Sequence, residues 1–207
     1  MSDTIAALLS RARVVPVLVI DEAAQAVPLA RALVAGGLPV LEITLRTAAA
    51  PEAIRRIAAE VPEAVVGAGT VLTAADLATA REAGARFIVS PGATDALYAA
   101  TAEAGLPFLP GVATASEVMR GLEAGLTCFK AFPAAAIGGP ATVAALGGPF
   151  PQARFCPTGG IRPDTAASYL SLPNVVAIGG TWLAPRDALA AGDWPRIEAL
   201  AAAARAL

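Results

Sequence analysis

The sequence predicts an α/β chain in which eight parallel strands, each followed by a helix, close into a (β/α)8 TIM barrel with one extra helix at the N-terminus. Two observations predict it. A short apolar run followed by a stretch of helical periodicity recurs about every 20 to 27 residues. This alternation repeats eight times with no linker or low-complexity break, so residues 1–207 are expected to form one domain. An open doubly wound sheet is the structural alternative. It usually has fewer strands and a glycine-rich first turn, which the first run here lacks.

The extra helix is expected over residues 4–12, across the base of the barrel. The first strand is read at 14–20. A helix follows over 22–35, with Val27, Ala30, Leu33 and Val34 as its apolar positions and Gly36-Gly37 as its stop. The second strand spans 38–45, and the helix over 51–60 puts Ile54 and Ile57 on one face. The third strand, 65–71, leads to a helix over 74–83 that starts behind Thr73 as N-cap and ends at Gly84. The fourth strand (86–90) precedes a helix over 94–104 that ends at Gly105. The fifth (107–110) precedes one over 116–124 that ends at Gly125. The sixth, seventh and eighth strands are read at 127–132, 154–157 and 175–178. Their helices are read at 140–146, 163–170 and 186–204, the last interrupted near Gly192 to Pro195.

The composition excludes several function classes. The chain is 56% hydrophobic and 15% charged, enough apolar material for a large core. Its net charge of −2 favours neither nucleic acid nor an anionic membrane surface. No run reaches the roughly 18 uninterrupted apolar residues of a membrane helix. The opening Met-Ser-Asp-Thr shows no basic stretch followed by an apolar one, so no signal peptide is expected. Cys128 and Cys156 each lie inside an apolar run and read as buried thiols rather than a disulfide, which with the above places the protein in the cytoplasm. Histidine is absent, which removes every His-based triad, every His-ligated zinc site and the commonest general base. There is one lysine, Lys130, and it sits in a predicted strand.

In a barrel, chemistry collects at the C-terminal ends of the strands. The second strand reads Val-Leu-Glu-Ile-Thr-Leu-Arg, so Glu42, Thr44 and Arg46 share one face and Leu41, Ile43 and Leu45 the other. Burying a lone carboxylate is costly, so Glu42 needs a partner. A structural Glu–Arg pair is the bland reading. In the sixth strand, Cys128, Lys130 and Phe132 share a face. Lys130 either snorkels outward, anchors a phosphate, or points into the barrel beside Glu42. In the last case, a partly apolar pocket near another cation such as Arg46 disfavours the ammonium and frees a nucleophilic amine. Glu42, if ionised, acts in the opposite direction. The seventh strand ends Cys-Pro-Thr-Gly-Gly-Ile and the eighth ends Ile-Gly-Gly-Thr-Trp. Paired glycines after both strands suit a phosphate, since backbone N–H groups can approach the anion, and Thr181 adds a hydroxyl; a tight turn is the alternative for either pair alone. The third strand ends in Gly69 and Thr70, the fourth in Ser-Pro-Gly with Pro91 as an apolar wall, and ordinary turn chemistry explains both equally well.

With those residues placed, the chain resembles the 2-keto-3-deoxy-6-phosphogluconate (KDPG) aldolases, also called 4-hydroxy-2-oxoglutarate aldolases, over essentially its whole length. The resemblance is carried by Val-Val-Pro-Val at 14–17, Gly-Leu-Pro-Val-Leu-Glu-Ile-Thr-Leu-Arg at 37–46 and Val-Gly-Ala-Gly-Thr-Val at 66–71. Ser-Pro-Gly at 90–92, Phe-Lys-Ala-Phe-Pro-Ala at 129–134, Phe-Cys-Pro-Thr-Gly-Gly-Ile at 155–161 and Ile-Gly-Gly-Thr-Trp-Leu at 178–183 extend it. The Glu- and Lys-bearing motifs are specific; the glycine motifs occur in many phosphate-binding barrels.

The resemblance implies a carbon–carbon lyase (an aldehyde-lyase) of the class I, Schiff-base type. It would cleave KDPG reversibly to pyruvate and D-glyceraldehyde 3-phosphate, and also 4-hydroxy-2-oxoglutarate to pyruvate and glyoxylate. Lys130 matches the Schiff-base lysine and Glu42 the general acid/base. Arg46 and Thr70 match the residues that hold the pyruvyl carboxylate, and Pro91 and Phe132 the walls around its carbons. Gly159, Gly160, Gly180 and Thr181 fall on the phosphate-binding segments, and Thr158 is counted with the substrate-binding residues. The resemblance also implies a homotrimer, no metal and no cofactor. Two departures stand out: Ala131 where the family often has Phe or Leu, and Thr181 where it often has Ser. A phosphosugar isomerase or epimerase with Glu42 as base, the related 2-keto-3-deoxy-6-phosphogalactonate aldolase, and a non-catalytic phosphate-binding barrel are the rival readings.

Overall fold

In the computed structural model, which describes residues 4–207, the apolar runs become short parallel strands and the periodic stretches become helices. Residues 1–3, the start of the stretch read for a targeting signal, lie outside the described residues. The strands are β1 (Val14–Leu18), β2 (Val40–Thr44), β3 (Val65–Gly69), β4 (Ile88–Val89), β5 (Phe108–Leu109), β6 (Gly111–Val112), β7 (Cys128–Ala131), β8 (Arg154–Phe155) and β9 (Ile178–Gly180). Six form a sheet in the order β5-β4-β3-β2-β1-β9, and three form another in the order β6-β7-β8. All neighbours pair in parallel. Single bridges from Phe155 to Val175 and from Thr158 to Gly179 link the end of the second sheet to the β9 side of the first. The result is an α/β fold on a curled parallel sheet.

Two strands depart from the sequence expectation. The fifth, expected at 107–110, resumes beyond Pro110 as β6. Proline has no N–H to give a ladder, and the pairing changes partner there: β5 lies against β4 and β6 against β7. The eighth, expected over the apolar run 175–178, instead occupies Ile178–Gly180, where the backbone pairs with Val14 to Pro16 of β1. Backbone hydrogen bonds need no side chain, so the register with β1 overrides the poor strand propensity of two glycines.

The helices are α1 (Ile5–Leu9), α2 (Ala26–Ala35), α3 (Ala50–Glu60), α4 (Ala74–Glu82), α5 (Asp95–Ala104), α6 (Ala115–Glu123), α7 (Gly139–Leu146), α8 (Pro163–Leu170), α9 (Arg186–Ala191) and α10 (Trp194–Arg205). The expected helix over 22–35 begins as a 3₁₀ turn, Ala23–Gln25. The one expected over 186–204 divides at Gly192, whose left-handed φ of 63° ends α9. Thr73, Thr94 and Thr114 cap α4, α5 and α6 through their hydroxyls, and Asp76 and Glu117 complete capping boxes at the first and third. The Thr114 cap starts α6 one residue earlier than the apolar pattern suggested. Burial pushes the Glu117 carboxyl up, but hydrogen bonds from Ala113 and Thr114 outweigh it and hold the group below the usual carboxylate range.

The short α1 stands at the N-terminal ends of the strands, where Ile5 and Ala6 line a cavity of about 370 Å³ with residues leading into β5 and β7. Leu41 and Ile43 of β2 and Phe129 of β7 are fully buried. They lock both strands so that the alternate side chains, Glu42 and Lys130, must point to the other face. Among the described residues, no helix is long and apolar enough to cross a membrane.

Candidate active site

Each of the two polar side chains that the sequence singles out is the third residue of its strand, Glu42 in β2 and Lys130 in β7. Lys130 Nζ donates to Glu42 Oε1 at 3.0 Å, and the two side chains are only 7% and 4% exposed. The Lys130 ammonium also lies 5.3 Å from the centre of the Phe132 ring, within range of a cation–π attraction. The structural Glu–Arg pair therefore does not form. Glu42 takes its cation from a strand 88 residues away, and Arg46 stands exposed beyond the end of β2. Thr44, the next inward residue, spends its hydroxyl on the Leu18 carbonyl at 2.9 Å.

Room for this pair comes from the neighbouring strand. The β2–β3 register sets Glu42 beside Gly67 and Thr44 beside Gly69. A side chain at Gly69 would collide with the Glu42 carboxylate, and one at Gly67 would enter the Phe87 ring. The sequence reading of Gly69 as a strand end with ordinary turn chemistry as the alternative does not reach this steric role. The signal was available in Gly-Ala-Gly, which leaves two successive positions on one face of the strand without a side chain. Thr70 follows at φ 59°, the one non-glycine residue with positive φ among those described. A β-branched residue in that region is strained, and such strain concentrates at working sites.

The other residues that the sequence singles out lie at the C-terminal ends of the strands. Pro91 is half-buried, and its carbonyl packs so tightly on Gly111 that no side chain fits there. Phe132 is half-buried and joined to Pro133 by a cis peptide bond. Thr158 is buried; its N–H donates to Ala131 O at 3.0 Å, and its hydroxyl reaches Cys156 O at 3.3 Å. Gly159 and Gly160 follow with φ of 99° and 74°, two successive left-handed residues that only glycine adopts readily. Ala134 and Ala135 donate to the carbonyls of Thr158 and Gly159, which zips the loop after β7 to the loop after β8. Gly180 is buried under the Trp182 ring, and Thr181 is exposed. Arg46 and Thr181 line one cavity of about 600 Å³ with Val17, Val19 and Arg186. Lys130 and Glu42 thus form one contact group and Arg46 and Thr181 a second, with no ion pair between the groups among the described residues.

Cys128 and Cys156 are free and buried, as expected. Burial pushes the Cys128 thiol up to about 12 and the Cys156 thiol, which lies near Lys130 and Glu42, higher still, so both are neutral near pH 7.

The family described as KDPG and KHG aldolase matches residues 5–200. The chain belongs to that family. A 2-dehydro-3-deoxy-phosphogluconate aldolase of Pseudoalteromonas atlantica is 56% identical over 192 residues, 93% of this chain and 89% of that protein. A KHG/KDPG aldolase of Escherichia coli K12 is 55% identical over 194 residues, 94% of this chain and 91% of that protein. Among solved structures, KDPG aldolase from Legionella pneumophila, with pyruvate captured at low pH as a covalent carbinolamine intermediate, matches with a TM-score of 0.96 at 44% identity. That match covers 99% of this chain and 100% of the other.

Proposed function

We propose that this aldolase forms a Schiff base through Lys130 and reversibly cleaves KDPG to pyruvate and D-glyceraldehyde 3-phosphate, and that it also cleaves 4-hydroxy-2-oxoglutarate to pyruvate and glyoxylate. The observation that carries the reading is the 3.0 Å contact of Lys130 Nζ with Glu42 Oε1 where little water reaches. Nζ must shed a proton before it can attack, and a carboxylate at hydrogen-bond distance is there to take it. The amine adds to the C2 ketone and gives a carbinolamine. Glu42 returns the proton so that the hydroxyl leaves as water, and an iminium remains. The iminium draws the C3–C4 electron pair as Glu42 accepts the C4 hydroxyl proton, and the aldehyde departs. Protonation of the enamine at C3 and hydrolysis of the imine release pyruvate and restore Lys130.

In this reading Arg46 and Thr70 hold the carboxylate, since a planar guanidinium matches it bidentately. Pro91 and Phe132 wall the pyruvyl carbons. Gly159, Gly160, Gly180 and Thr181 receive the phosphate, and Thr158 belongs to the substrate-binding segment that leads into them. We also read the two sheets as one closed (β/α)8 barrel, with β5 and β6 a single strand interrupted at Pro110, and the chain as one domain. A homotrimer in the cytoplasm completes the proposal. Borohydride reduction with excess pyruvate, followed by peptide mass spectrometry, tests the centre of it. The expected result is a three-carbon adduct on Lys130. Folded protein without an adduct would leave Lys130 as an anchor and favour an isomerase with Glu42 as base.

A further inference from the structure

We propose that Arg186 is a specificity residue whose guanidinium binds the substrate phosphate at the rim of the site and so separates phosphorylated from unphosphorylated 2-keto acids; this rests on the aldolase reading above. Arg186 is the first residue of α9, and its exposed side chain lines the cavity of about 600 Å³ that Thr181 and Arg46 also line. The segment from Gly180 to Arg186 is anchored, because the Trp182 ring packs on Gly180 and Leu183 is fully buried. The backbone between Thr181 and the start of α9 is therefore held in place, with Thr181 and Arg186 at its two ends.

The charges around it leave this guanidinium available. Neither Arg186 nor Arg46 has a carboxylate within 4.0 Å among the described residues. The adjacent Asp187 is drawn away, its carboxylate accepting from Arg196 Nη1 at 2.6 Å, and that hydrogen bond holds the carboxyl below the usual range. Asp21 and Glu22 line the cavity from the loop after β1 but reach neither arginine. Two free guanidiniums in one cavity suit a ligand with two anionic ends. Arg46 serves the carboxylate, and Arg186, on the turn that carries Thr181, serves the phosphate. A phosphate adds roughly two negative charges to the single charge of a keto acid, so a second arginine adds a full positive charge to the N–H dipoles of the glycine loops and sharpens the discrimination.

The test compares the wild type with Arg186→Ala and Arg186→Lys. The readouts are kcat and KM for KDPG, inhibition of KDPG cleavage by inorganic phosphate, and the half-saturating pyruvate concentration for borohydride trapping. The expected result for Arg186→Ala is a KM for KDPG raised about tenfold with kcat little changed, and phosphate inhibition weakened to match. Pyruvate trapping stays at the wild-type concentration, and Arg186→Lys recovers part of the lost KM. An unchanged KM for KDPG overturns the assignment. So does an equal loss in KDPG cleavage and pyruvate trapping, which would report damage to the site as a whole. Wild-type protein that traps no pyruvate would instead bring down the aldolase reading itself.

Discussion

Side-chain ion pairs of this chain occupy two regions with opposite physics. Arg55–Glu52, Arg56–Glu60, Arg120–Asp95, Arg162–Asp164 and Arg196–Asp187 lie on the outer helices, with side chains 35% to 75% exposed. Lys130–Glu42 lies inside the curled sheet at 7% and 4%. Water and salt screen the outer pairs, and each holds long side chains still for little gain. The inner pair has lost its hydration, so each charge depends on the other and on the Phe132 ring. A pair that costs so much to bury adds little to stability over an apolar pair of similar volume. Its presence in a core of Leu, Ile and Phe points to chemistry.

That contrast can be broken most sharply at its centre. Lys130→Ala should abolish trapping and lower cleavage roughly 10³-fold or more. It should also cost about 3–5 kcal/mol in urea denaturation, because Glu42 is left buried and unpaired. If it loses activity but no stability, the inner pair is as well solvated as the outer ones. Glu42→Gln keeps the shape but not the proton acceptor. Its kcat should fall roughly 10²- to 10⁴-fold, with the half-saturating pyruvate concentration less affected. Gly69→Ala introduces a Cβ into the space of the Glu42 carboxylate. We expect kcat to fall about tenfold and stability by about 1–3 kcal/mol. Stopped-flow trapping with pyruvate would show whether imine formation is the step that slows.

The buried thiols sharpen the comparison in another way. The folded Cys128 thiol titrates near 12 against an ordinary value of 9.0. Its pKa is raised, so its contribution is complete below pH 9 and is lost as the pH climbs from 9 towards 12. Unfolding free energy should drop by roughly 2 kcal/mol between pH 9 and 10.5 on its account. The Cys128→Ala protein should show a flatter alkaline slope in urea titrations, whatever its stability at pH 8. The smallest effect belongs to the outer region. Arg120→Ala breaks a two-pronged contact with Asp95, yet thermal denaturation should register a loss below about 1 kcal/mol, and less again in 1 M salt.

Much of this was legible in the residues. Apolar runs separated by helical periodicity predicted the alternating elements, because burial of a strand face and a helix stripe is a local pattern. The two faces of Val-Leu-Glu-Ile-Thr-Leu-Arg and Cys-Phe-Lys-Ala-Phe followed from strand alternation alone, so Glu42 and Lys130 could be named before their contact was known. The Thr73 cap and the glycine stops set several helix ends to within a residue or two, whereas the caps at Thr94 and Thr114 emerged only in the structure. Other features belong to the tertiary structure, since they depend on residues far apart in the chain. Pairing with β1 decided that Gly179 and Gly180 are strand, and the change of partner at Pro110 divided the fifth run. The curl of the sheet chose Lys130 over Arg46 as the partner of Glu42, Gly69 of β3 made space for that carboxylate, and the turn into α9 carried Arg186 to the cavity of Thr181. A sequence pattern states which face a side chain takes; only the closing of distant strands and loops on one another states what it meets there.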